Sequence, residues 1–137
     1  MEINKEESVE SAIGEIDYAI LKSISYDVNT IADIVKVLQI RTIILERHIY
    51  RLISEVFINL GLDSKFNLTV KGIEIISNFE NENPDKWSPI NNFILSAIKH
   101  QKEQRIKIYK IIDILLLLSM IVLVLLIIYF GKSLVSL

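Results

Sequence analysis

The 137-residue chain contains no cysteine, which excludes disulfide staples, thiolate metal sites and cysteine nucleophiles together. Glycine is scarce. Its four residues, at positions 14, 61, 72 and 131, are too scattered to build the glycine-rich loop that cradles a phosphate. There are two histidines, His48 and His100, and neither has partners at ligand spacing. His48 reads as a partly packed, hydrogen-bonded side chain, and His100 lies among lysines, a poor setting for a cation. No serine or aspartate falls in an arrangement that suggests a nucleophile with an oriented base. The expectation is a protein that is not an enzyme and needs no cofactor. The two prolines both lie in one polar stretch, NENPDKWSP, residues 81–89.

What is abundant is apolar: 51% of the residues are hydrophobic, 27 are isoleucine, and the mean hydropathy is +0.41. Much of this lies in IIDILLLLSMIVLVLLIIYF, Ile111 to Phe130, broken only by Asp113 and Ser119. At about 1.5 Å per residue such a helix is about 30 Å long, the thickness of a hydrocarbon core, and the rest of the chain is too small to enclose it. It reads as a transmembrane helix. Lys99, Lys102, Arg105, Lys107 and Lys110 precede it, and only Lys132 follows. By the positive-inside rule the N-terminal part is cytoplasmic and the protein is a single-pass, tail-anchored one. The N-terminal MEINKEESVE is acidic and polar, so no cleavable signal peptide is expected. The five basic residues are membrane-surface candidates, each worth about 1 kcal/mol toward anionic lipid where suitably placed. Asp113, a turn inside the apolar run, reads as interfacial, and Tyr109 and Tyr129 bracket the span as aromatic anchors.

Charge divides the remainder. Residues 1–88 carry 9 Lys plus Arg against 15 Asp plus Glu, a net of −6, whereas residues 89–110 carry five basic residues and only Glu103. The proline-containing stretch disfavours helix before each proline and marks a boundary. The expected layout is a domain at 1–80, a linker at 81–89, a basic juxtamembrane helix at 90–110, the span at 111–130 and a short tail at 131–137.

Within the first domain, Ile13, Ile16, Ile20 and Ile24 recur at three- and four-residue spacing, predicting one face of a helix that ends near Ser25. A second helix starts after Asn29 or Thr30, with Ile31, Ile34, Val35 and Leu38 inward. A third runs from about Arg41 to Ser54 with Leu45, Ile49, Leu52 and Val56 inward. The connection between them is short, so the unit is helix, tight turn, helix. EVFINL and KFNLTV, separated by GLDS, predict a β-hairpin. Thr69 then caps a helix from about Val70 to Glu80. The fold class is mainly α with a small β-hairpin.

The stretch TIADIVKVLQIRTIILERHIYRLISEVFINLGLDSKFNLTVKGIEII, residues 30–76, resembles the winged helix-turn-helix of bacterial and archaeal transcription regulators, including the MarR-like and ArsR-like groups. RTIILERHIYRL is similar to their recognition helix, and LTVKG, Leu68 to Gly72, to the segment joining the last wing strand to the next helix. Gln39 and Ile40 depart from the more usual glycine-containing turn. The resemblance implies DNA binding, and for several archaeal regulators of this kind also a C-terminal membrane segment.

At 100° per residue with Leu45 inward, Ile43, Arg47, Tyr50, Arg51 and Ser54 project outward, the side that would face a major groove. Arg47 and Arg51 offer bidentate donors to guanine or a phosphate, Tyr50 a phosphate or base contact, and Ile43 contact with a thymine methyl. Arg41 and Lys71 are phosphate candidates at the edges, and Lys65 is the main basic candidate of the wing. The net charge of −6 weighs against duplex binding, but its acidic residues, Asp17 among them, concentrate in the N-terminal tail and first helix, remote from the recognition helix. Ile90, Phe93, Ile94, Ala97 and Ile98 form a stripe suited to pairing two copies into a homodimer, with Gln101 and Gln104 ending it. The expected function is a membrane-anchored, DNA-binding transcription regulator. The alternative is a tail-anchored module that recruits a protein or ribonucleoprotein partner to the membrane.

Overall fold

The computed structural model describes residues 13–136. The acidic N-terminal tail, residues 1–12, lies outside the described residues. The protein is mainly helical with one two-stranded antiparallel hairpin, in the order α1 (Glu15–Ser25), α2 (Ile31–Leu38), α3 (Thr42–Ser54), β1 (Ile58–Leu60), β2 (Phe66–Leu68), α4 (Val70–Glu82) and α5 (Pro84–Val135). The chain divides after Ile98 into two compact units, Met1–Ile98 and Lys99–Leu137.

In the first unit, the head, α1 is the central element. Seven of its eleven residues are buried, including Tyr18, Ala19, Ile20, Leu21 and Ile24. Ile16, expected on the inward face, is exposed, because the buried arc is centred on Tyr18, Leu21 and Ile24 instead. Thr30 caps α2 by accepting a hydrogen bond from the Asp33 amide at 3.2 Å, which satisfies one of the orphan donors of the first turn. Ile34 and Val37 are the fully buried residues of α2, with Ile31, Val35 and Leu38 half-buried around them. Gln39 closes the turn in the left-handed region, at φ 54°, the conformation for which the glycine of similar turns is suited.

Leu45, Ile49 and Leu52 form the inner face of α3. Val56 is not part of it. Its φ is 65° and its side chain is exposed, because it occupies the left-handed position after the helix while the Phe57 amide bonds back to the Leu52 carbonyl at 2.9 Å. Phe57 is the buried residue instead. The hairpin pairs Ile58 with Leu68, Asn59 with Asn67 and Leu60 with Phe66. The Phe66 amide also donates to the Asn29 carbonyl at 2.8 Å, tying the hairpin to the segment before α2.

The LTVKG segment locks the hairpin to α4. The Thr69 hydroxyl donates to the carbonyls of Val56 and Phe57 and accepts from the Gly72 amide at 3.1 Å. Gly72 is required by close approach, since a Cβ there would lie 2.2 Å from the Phe57 carbonyl oxygen. On α4, Ile76 is buried and Ile73 is exposed.

Residues 81–89 are not a linker. α4 runs on to Glu82, only Asn83 is non-helical, and Pro84 opens α5 at the position where a missing amide hydrogen costs nothing. Trp87 is a core residue, its ring 4.6 Å from that of Tyr18 and 5.1 Å from that of Phe79. The stripe expected to pair two copies is largely covered by the head's own helices. Ile94 is fully buried, and Ile90, Ala97 and Ile98 pack beside it around Ala19 and Val37. Phe93 and Leu95 are the apolar residues of this part of α5 that remain exposed.

In the second unit, α5 is one helix long and apolar enough to cross a membrane, and none of its apolar run is buried. Lys99, Lys102, Arg105, Lys107 and Lys110 are all exposed, and so is every residue from Ile111 to Phe130.

Candidate functional site

The outer face of α3 carries the residues singled out above. Ile43 is 66% exposed and Tyr50 73% exposed, with Arg47 exposed between them and Ser54 one turn further on. These four recur at four, three and four residues, one continuous stripe of a 3.6-residue helix. The Ser54 hydroxyl donates to the Arg51 carbonyl at 2.8 Å, so its lone pairs rather than its proton face outward. Arg41, at the N-cap of α3, and Lys65, after the hairpin turn, are exposed. Arg41, Arg47 and Lys65 have no ion-pair partner among the described residues.

Arg51 is not free on that stripe. Its guanidinium Nη2 donates to Asp17 Oδ2, and its Nε is buried without a partner. On α3 alone Arg51 projects outward, but α1 packs against that flank. Asp17, expected to be remote from α3, is 1% exposed and sits against it. His48 Nδ1 donates to Asp17 Oδ1 at 2.7 Å, and the Gly14 amide donates to Oδ2 at 3.0 Å. A buried carboxylate is tolerable only with such partners, and here it has three. His48 is thus held as a packed, hydrogen-bonded histidine.

Lys71 is also engaged: its ammonium donates to the Glu55 carbonyl at 2.9 Å and lies 4.6 Å from the Phe57 ring centroid. The first contact caps the C-terminal end of α3, where a cation is favoured by the helix dipole.

A second polar cluster braces α1 against α4. The Tyr18 hydroxyl donates to Glu80 Oε1 at 2.7 Å, and Lys22 Nζ lies 2.6 Å from the same oxygen. Burial pushes the Glu80 carboxyl up, but the hydrogen bonds from Lys22 and Tyr18 outweigh it and hold the group below its ordinary value. Burial, then the bond to Glu80 and its charge, pushes the Tyr18 phenol well above its ordinary range.

Asp17 is the residue that sequence reasoning missed. It falls four residues after Ile13 and three before Ile20, on the apolar face of α1, and an acid in such a place signals a buried partner. His48 and Arg51, three residues apart on one flank of α3, are the matching pair. The chain matches no protein-family model, no curated protein and no solved structure.

Proposed function

We propose that the head is a winged helix-turn-helix module that binds double-stranded DNA and regulates transcription from the cytoplasmic face of a membrane, where the apolar helix anchors it. The observation that carries this reading is the exposed Ile43, Arg47, Tyr50 and Ser54 stripe on the second helix of a tight helix-turn-helix, followed by a hairpin. In such modules the second helix enters the major groove. Arg47 offers the bidentate donor pair that suits guanine, Tyr50 reaches a phosphate or base, and Ile43 meets a thymine methyl. Arg41 and Lys65 serve as phosphate contacts. The basic residues from Lys99 to Lys110 meet anionic headgroups on the same side of the bilayer as the head.

With Arg41, Arg47 and Lys65 as the contacting cations the electrostatic part is modest, with a slope of log affinity on log salt of about −3. The test is titration of duplex DNA onto the full chain in lipid nanodiscs at several salt concentrations. Arg47→Ala is expected to weaken binding by about tenfold and Tyr50→Ala by somewhat less. Affinity that ignores both substitutions, or does not fall with salt, defeats the reading.

A second reading has its own support. Ile43, Tyr50, Ile53 and Val56 are all exposed on or just after α3, and aromatic, aliphatic and arginine side chains without dense positive charge are the composition of a protein interface. In that case the anchored head recruits a protein or ribonucleoprotein. A partner cross-linked through position 50, with no duplex binding, is the result that favours it.

A further inference from the structure

We propose that Asp17 determines which arginine of α3 reads the duplex, by keeping Arg51 bound to the protein and leaving Arg47 as the base-reading side chain. The inference rests on the DNA-binding reading above and concerns how that surface is specified.

The geometry of the guanidinium carries the argument. A bidentate contact to guanine needs two N–H groups on one edge of the fork, either Nη1 with Nη2 or Nε with a terminal nitrogen. In Arg51, one Nη2 N–H is taken by Asp17 and Nε is buried, so the Nε edge is closed and the remaining N–H groups are held where the buried carboxylate fixes them. The N–H groups left over are tethered to a carboxylate on α1, so the fork cannot swing out to a base edge without giving up Asp17. The side chain is 38% exposed, and its guanidinium is anchored to a carboxylate that is 1% exposed.

Asp17 holds this arrangement firmly because it is itself almost fully buried. Drawing Arg51 away toward a phosphate in water leaves a buried carboxylate with only His48 and the Gly14 amide, a costly exchange for a screened contact. Arg47, one turn earlier on the exposed stripe, carries no such restraint among the described residues. Two arginines that look equivalent in sequence are therefore assigned different tasks by a residue on another helix.

The test compares variants of the full chain in nanodiscs, with a random-sequence 20-base-pair duplex as the probe across a salt series. Asp17→Asn frees Arg51 and is expected to tighten binding at low salt by about tenfold, with a salt slope steeper by about 0.9, one further phosphate neutralised. Glu82→Gln, which makes the same change in net charge at an exposed site of α4, is expected to leave the slope alone. The double variant Asp17→Asn/Arg51→Gln replaces the ion pair with a neutral pair and is expected to return to the wild-type affinity and slope. That variant carries the test if circular dichroism shows that Asp17→Asn alone does not fold.

Unchanged binding by folded Asp17→Asn overturns the proposal because Asp17 then withholds nothing, and weaker binding does so because Asp17 then presents Arg51. So does a loss in the double variant as large as that of Arg47→Ala. Both leave the DNA-binding reading standing, since wild-type binding that depends on Arg47 survives them. Absence of duplex binding by the wild-type chain removes that reading and this inference with it.

Discussion

The head and the apolar run of α5 use the same kinds of side chain under opposite rules. In α1, seven of eleven residues are buried, and two of them, Asp17 and Ser23, are polar. Each polar one has partners, Ser23 through its own helix by donating to the Ala19 carbonyl at 2.7 Å. Between Ile111 and Phe130 nothing is buried, and the backbone hydrogen bonds of the helix are the only ones required. The head is specified residue by residue through packing and pairing. The apolar run is specified by composition and length, so one residue there can stand for another.

The sharpest way to break that contrast is a pair of truncations. Trp87→Ala, which empties the space between Tyr18 and Phe79, is expected to cost the head about 3–5 kcal/mol, whereas Leu118→Ala is expected to change its stability by less than about 0.5 kcal/mol. Thermal unfolding of the full chain in micelles, followed by circular dichroism, measures both. A large loss from Leu118→Ala means that the run is packed against protein.

Within the head, two changes beside Phe57 are expected to act in opposite directions. Gly72→Ala drives a methyl into the Phe57 carbonyl and is expected to destabilise by about 1–3 kcal/mol. Val56→Gly relieves a β-branched residue at positive φ and is expected to stabilise by up to about 1 kcal/mol, less the added freedom of the unfolded chain. The same melts report both.

The smallest effect is electrostatic. Glu80 is held below its ordinary value in the folded head, so its contribution is complete above that value and is lost as pH falls through the depressed one. Tyr18 is held above its ordinary value of 10.0, so its contribution is complete below that value and is lost as pH rises through the elevated one. Melting temperature against pH is expected to flatten at the acid end in Glu80→Gln and at the alkaline end in Tyr18→Phe.

Local chemistry was legible in the sequence: the Thr30 and Thr69 caps, the hairpin across GLDS, the stripe of α3 and the apolar run. Each depends on neighbours a few residues apart. What escaped depends on packing between distant segments. Val56 lies at the right spacing for the inner face of α3 but follows the helix end. The prolines near residue 84 suggested a linker because proline discourages the helix before it, yet Pro84 also starts one well, and Trp87 brings its first turns into the core. Of the site, the exposed Ile43, Arg47 and Tyr50 could be read from one helix alone. The engagement of Arg51 could not, because Asp17 lies 34 residues away in sequence.

The place of Trp87 and Ile94 in the core has a consequence for proteolysis. A protease cutting ahead of Trp87 within NENPDKWSP severs the head from two of its own core side chains, and the fragment left behind exposes the surfaces they covered. Intact release of the head from the apolar run requires a cut beyond Ile98, among the lysines and arginines, where trypsin-like enzymes find their sites.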